Sequence, residues 1–228
     1  MNYLALLGWA PSGGNRETFT PKELIKEFSL KRVTPSPAIF DMDKLHWLNR
    51  HYIKHSPSER IHGLAQPFFQ KAGLLPENPD PEITRWFGRL IDLLAPYVDK
   101  LEQLPQRASL VLHYDAHTAL ANSDNADVLR SEKTPPVVQA FARQAANEFP
   151  LAPERFKAIM NDVKTETGAK GKDLFHPVRI MLIGSHSGPE FDKLIPLLEE
   201  GSTLDLPVHV KSVRERVAEF MAAQELRA

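Results

Sequence analysis

The chain has 228 residues, 42% of them hydrophobic and 25% charged, which is enough to build real cores in one large or two ordinary domains and argues against disorder. Its 28 Lys and Arg face 29 Asp and Glu, so no strong basic footprint announces nucleic acid, and any such contact must use local patches with moderate salt dependence. Zero Cys removes disulfides, thiol catalysis and Cys-ligated metal, and no apolar run nears the roughly 18–20 residues of a membrane helix.

Met1 to Ala10 is apolar, but no basic segment precedes it and Pro11, Gly13 and Gly14 close it early, so it does not read as a signal peptide. The location expected is the cytoplasm. Gly8–Thr20 reads as a loop. Thr20-Pro21-Lys22-Glu23 then sets an N-cap, a first-turn proline and a capping-box Glu in order, predicting a helix start. Residues 1–72 carry ten Lys and Arg against six Asp and Glu. Lys31, Arg32, Lys44, Arg50 and Lys54 from this basic stretch are candidate contacts to a nucleic-acid backbone.

His51 and His55 have the four-residue helical spacing that can place two imidazoles on one metal, but no Glu stands between them, so a polar stripe is the expected reading. His113, Asp115 and His117 have still less support, and no metal site, cofactor or catalytic residue is assigned. Ser56-Pro57-Ser58-Glu59 predicts a second capped start, Asp80-Pro81 and Thr134-Pro135 two more, and Ser187-Gly188-Pro189-Glu190 a looser one. Ile83, Phe87, Leu90, Ile91 and Leu94 recur at three- and four-residue steps as one buried stripe. Arg85 and Arg89 share a face of that helix, with Trp86 expected in the core.

His113–Lys133, with its Asn- and Asp-rich run, is expected to be a loop, and Ser109–Tyr114 and Val178–Ile183 are ambiguous apolar runs. Gly73, Gly168 and Gly201 are expected helix C-caps. Leu194, Ile195, Leu197 and Leu198 mark one late helix, and Val210, Val213, Val217, Phe220 and Met221 the last. The fold class is all-α. Before the first of these two helices, Arg179 and Phe191 flank Gly184-Ser-His-Ser-Gly188-Pro189, an exposed turn feeding a helix start whose free N–H groups suit phosphate or base acceptors. No phosphate-binding P-loop and no Gly-x-Ser-x-Gly elbow occurs.

Three stretches carry a resemblance. Asn2-Tyr-Leu-Ala-Leu-Leu-Gly8-Trp9 resembles the segment after the catalytic half of bacterial glutamyl-tRNA synthetases. Pro37-Ala-Ile-Phe40-Asp41-Met-Asp-Lys44-Leu45-His-Trp47-Leu-Asn49, then Tyr52-Ile53, resembles that family's stem-contact region, and His176-Pro177-Val-Arg179-Ile with Gly184 and Gly188-Pro189 its distal anticodon-binding subdomain. Residues 105–150 resemble the family only in length and helical character.

The resemblance implies an elongated helical body. Residues 1–55 would form the stem-contact portion, 56–125 the first anticodon-binding subdomain and 126–228 the second. It implies tRNA as partner, glutamate or glutamine isoacceptors, with Arg89 and Tyr97 facing one anticodon base and Arg179, Pro189 and Phe191 cradling another beside the Gly188 backbone. Strict glutamate readers of the family carry Arg where this chain has Tyr97; a Tyr stacks but offers no charged fork of donors. The family's His-x-Gly-His and Lys-Met-Ser-Lys-Ser-like signatures are missing, so these residues alone are not expected to charge tRNA, and the apolar Tyr3, Leu4, Leu6 and Leu7 suggest a separate catalytic chain as partner. The alternative function is a helical interaction scaffold that has kept the fold and lost RNA.

Overall fold

The computed structural model describes residues 1–35 and 39–226; Pro37 and Ala38, which open the stem-contact-like motif, lie outside the described residues. The regular elements among the described residues are all helical, and the extended pairing among them is an isolated antiparallel bridge between Trp9 and Val33. The expected all-α class holds. Both ambiguous apolar runs are helical: Ser109–Leu112 is a short helix and Val178–Ile183 ends a longer one.

The chain forms two compact units, Met1–Ser56 with Pro96–Lys100, and Pro57–Ala95 with Leu101–Ala228. In the smaller unit, α1 (Asn2–Leu6), α2 (Pro21–Glu27) and α3 (Met42–His55) frame a cluster of Trp9, Phe19 and Leu24. Buried Asn2 ties the opening segment down: its Nδ2 donates to the Glu17 carbonyl at 2.7 Å, and its Oδ1 accepts from Phe19 N at 2.7 Å and from the Tyr52 hydroxyl at 3.0 Å. The apolar N-terminal segment is less exposed than its sequence suggests. Leu4 faces solvent, but Tyr3 is buried, packs edge-on against Phe40 at 5.1 Å and accepts a hydrogen bond from Asp41 N at 2.6 Å.

The larger unit holds α4 (Ser58–Lys71), α5 (Pro81–Leu94), α6 (Leu104–Arg107), α7 (Ser109–Leu112), α8 (Ala116–Ala121), α9 (Ala126–Arg130), α10 (Thr134–Ala145), α11 (Pro153–Thr167), α12 (Lys172–Ile183), α13 (Phe191–Gly201) and α14 (Val213–Glu225). In it α5 packs against α4 and α13, and α10 against α11, α12 and α14. The predicted stripe of α5 is fully inside, and so is Trp86, whose indole N–H donates to the Leu197 carbonyl at 2.8 Å.

Helix starts divide into correct and shifted. The Thr20 capping box forms, and Asp80 accepts from Glu82 N and Ile83 N, both at 2.8 Å. At Ser56 the box does not form. Pro57 is still extended, with φ −55° and ψ 137°, so α4 begins one residue later and Ser56 serves as the C-cap of α3. Thr134 is likewise the first helical residue rather than the cap, its hydroxyl donating back to the Val128 carbonyl, and α13 starts beyond Glu190 instead of at Ser187. A capping box that the sequence reading missed joins Ser212 to Glu215 at the start of α14.

Gly168 is a left-handed C-cap as expected, at φ 70°. Gly201 is not: it lies inside the last turn of α13, where a Cβ would come within 2.8 Å of the Trp86 indole nitrogen. Close approach of α13 to α5, not a turn, requires that glycine. The expected loop at 113–133 is largely short helix, with Asp115 capping α8 through Thr118 N at 2.6 Å and Asn122 capping a 3-10 turn over Ser123–Asn125. Fully buried Arg216 of α14 closes the core. It donates to the carbonyls of Leu110 (2.9 Å), Val111, Leu182 (2.6 Å) and Lys211 (2.8 Å), and its guanidinium lies 4.9 Å from the Tyr114 ring centre. Burial lowers the Arg216 pKa to about 10, so the group stays charged at neutral pH and faces carbonyl oxygens at the C-terminal ends of α7 and α12.

Candidate functional site

The turn between α12 and α13 is built by two constraints on its backbone. Gly184 ends α12 in the left-handed region at φ 75°, which reverses the chain. Arg179, one turn before the end of α12, reaches across and donates Nη1 to the Pro189 carbonyl. Its guanidinium carbon stands 4.3 Å over the ring of Phe191, the first residue of α13. Arg179, Pro189 and Phe191 are therefore in one place, with the exposed Gly188 beside them: a Cβ on Gly188 would lie 3.7 Å from the Arg179 Nη1.

Within that group the exposures differ. Pro189 is buried and Phe191 is 8% exposed, packed against Phe156 at 4.9 Å and the half-exposed Phe175 at 6.3 Å. Arg179 covers Phe191, so the planar surface turned outward is the guanidinium. The helix start beneath carries Glu190 and Asp192, with Lys193 3.3 Å from Glu190. Two carboxylates there suit the helix dipole and repel phosphate, so the turn is suited to an uncharged ring stacked or hydrogen-bonded on Arg179.

A second feature of the larger unit is an open cleft of about 640 Å³ lined by Glu82, Arg85, Trp86, Arg89, Glu200, Thr203 and Leu204. Arg89 donates Nη1 to Glu200 Oε1 at 2.7 Å and turns its other terminal nitrogen to Oε2, while Arg85 lies 3.9 Å from Glu82. Two guanidinium groups balanced by two carboxylates make a neutral, donor-rich rim. Tyr97 belongs to the Pro96–Lys100 segment of the smaller unit, where it is 52% exposed.

The basic candidates all lie in the smaller unit. Three are engaged: Lys44 pairs with Glu17 at 2.5 Å, Arg50 with Asp99 at 2.5 Å, and Arg32 donates to the Glu27 carbonyl and covers Trp9 at 5.5 Å. The hydrogen bond from Arg50 holds the Asp99 carboxyl below the usual carboxylate range. Lys31 and Lys54 are exposed. His51 and His55 stack at 4.1 Å, with His55 Nδ1 2.7 Å from the His51 carbonyl, so that ring nitrogen is taken up by the helix itself. Sequence reasoning missed Glu200 and Asn125, whose roles depend on partners far away in the chain.

Residues 60–205 match the anticodon binding domain family, a stretch that contains the cleft and the α12–α13 turn. The chain belongs to that family. Curated relatives of this family member are the glutamate–tRNA ligases of Desulforamulus reducens, 37% identical over 206 residues, and Carboxydothermus hydrogenoformans, 36% identical over 205, with 90% and 87% of this chain aligned. The aligned region is the C-terminal part of those ligases, and the chain spans about two fifths of their length, 42% and 40%. A crystal structure of a glutamate–tRNA ligase from Elizabethkingia meningosepticum superposes on 98% of this chain with a TM-score of 0.71 at 19% identity, covering 40% of that protein and sharing the fold.

Proposed function

We propose that this chain is the tRNA-holding portion of a glutamate–tRNA ligase, gripping the anticodon while a catalytic region makes the aminoacyl bond. The observation that carries the reading is the family match over residues 60–205, because Arg89, Tyr97, Arg179, Gly188, Pro189 and Phe191 all fall within it. RNA sequence is read on splayed bases stacked on aromatic or guanidinium planes. Arg179 over Phe191 is such a plane, and it would take one anticodon base with Gly188 and Pro189 at its edge. Arg89 would take another by exchanging Glu200 for a base edge, and Tyr97 would stack.

Lys31, Arg32, Lys44, Arg50 and Lys54 would track the backbone near the stem, Lys31 and Lys54 most directly. The working division is 1–55 for the stem and 56–125 and 126–228 for the anticodon. The partner is tRNA of the glutamate or glutamine type, the place the cytoplasm, and the catalytic region either a separate chain or a linked one. Among the described residues no helix is long and apolar enough to cross a membrane.

Titration of the chain with glutamate tRNA at two salt concentrations tests the reading. Binding that weakens with salt is expected, and Arg179→Ala should cost about 1–3 kcal/mol if it reads a base. A chain that ignores tRNA at low salt overturns the reading.

A further inference from the structure

Asn125 is 0% exposed, and its side-chain amide is fully committed. Nδ2 donates to the Ala119 carbonyl of α8 at 2.9 Å and to the Gly184 carbonyl at 2.8 Å. Oδ1 accepts from the His186 backbone N–H at 3.0 Å, and His186 Nδ1 lies 3.3 Å from the same oxygen. The orientation is fixed by its partners, since a rotated amide would set an oxygen against two carbonyls and an NH₂ against an N–H. The residue's own carrier is fixed too, because Asn122 caps the 3-10 turn by accepting from Asp124 N at 2.9 Å.

Two of these partners belong to the turn that precedes Arg179's acceptor. Asn125 secures the turn at Gly184 and His186, Arg179 secures it at Pro189, and the exposed Ser187 and Gly188 span the interval. A buried amide costs desolvation that an apolar residue would avoid, and here the return is the path of one surface turn. We propose that Asn125 is a positioning residue for anticodon reading, holding the 184–188 backbone at the height at which a base on Arg179 meets Gly188. The inference rests on the proposed tRNA-binding function and adds a residue about 60 positions from the turn it controls.

The test compares the whole chain with Asn125→Asp, which keeps the shape and sets a carboxylate against two carbonyls. The probes are transcribed glutamate tRNA and copies with single anticodon bases exchanged. Val163→Ala, a fully buried site in α11, serves as a destabilised control, and all are measured below their melting temperatures. The expected result is about tenfold weaker binding by Asn125→Asp, the size of one lost base contact. Discrimination among the exchanged anticodons should fall with it, the salt slope should stay unchanged, and Val163→Ala should keep its discrimination.

Should Asn125→Asp not fold, hydrogen exchange of the His186 amide in the unaltered chain is the readout, with strong protection expected. Undiminished discrimination in Asn125→Asp, or a His186 amide exchanging at open-loop rates, overturns the positioning role alone. An unaltered chain that binds no tRNA overturns the function beneath it.

Discussion

Arg216 and Arg179 lie in the same unit and face opposite tasks. Arg216 has no exposed surface and spends its guanidinium on four backbone carbonyls, which leaves nothing for a ligand. Arg179 is half-buried, stands over the Phe191 ring and reaches the Pro189 carbonyl through Nη1. The first arginine organises helix ends and the second presents a plane. Charge in the sequence does not tell them apart; depth and the number of carbonyls within reach do.

Substitutions should widen that contrast. The largest effect belongs to Arg216→Met, which strands several buried carbonyls at the ends of α7 and α12 and should cost about 3 kcal/mol or more in urea unfolding. Gly201→Ala comes next, at about 1–3 kcal/mol, since its Cβ would drive into the Trp86 indole and the tight α13–α5 crossing cannot give freely. A left-handed C-cap glycine would show no dependence on Trp86, so a double-mutant cycle with Trp86→Phe checks the packing role. Arg179→Lys keeps the charge and removes the plane. It should leave the melting temperature nearly unchanged and weaken tRNA binding by about 1 kcal/mol.

Two smaller effects concern carboxylates. Glu199 is 4% exposed; its Oε1 accepts from Val213 N at 3.1 Å while Oε2 is buried without a hydrogen bond. Burial raises its pKa, so the folded state resists ionisation and loses stability as pH rises from the unfolded value through the folded one. Glu199→Gln should therefore stabilise the chain by about 1 kcal/mol at pH 7 and show no gain at pH 4. Glu23 is the opposite case. The hydrogen bond from Arg16, with those from the Thr20 N–H and hydroxyl, lowers its pKa from 4.5 to about 2. Its contribution to α2 is complete above pH 4.5 and disappears as pH falls through about 2, a small loss because the site is exposed; circular dichroism of the chain and of Glu23→Gln across that range measures it.

These residues also show what the sequence made legible. Thr20 and Asp80 could be read as caps because the partner of each lies within three residues. Ser56 and Thr134 met the same pattern and failed, since one residue of extended backbone after the serine, or an outside carbonyl for the threonine, shifts the start without altering the motif. The polar run at 113–133 reads as loop because its α-helices are only six and five residues long and owe their order to tertiary partners, among them Glu219 accepting from Ala116 N at 3.0 Å. Periodicity placed the α5 stripe, whereas Gly201 and Asn125 depend on neighbours across the fold that no spacing reveals. The turn that Arg179 and Phe191 flank is legible in the sequence, and the resemblance adds their anticodon role with Pro189; the guanidinium standing over the Phe191 ring and bonded to the Pro189 carbonyl is a fact of geometry.

The Arg216 clamp bears on how the larger unit is made. Its bonds to Leu110 and Val111 bridge 106 and 105 residues, and Trp86 waits 111 residues for Leu197. During synthesis α5 and α7 leave the ribosome well before the residues that complete their contacts, and at about 5–20 residues per second that interval lasts about 5–20 seconds. In that interval α5 has α4, which precedes it, to pack against, but its face toward α13 and the carbonyls that Arg216 caps lack their native partners, so the Arg216 clamp is among the last contacts of the larger unit to become available.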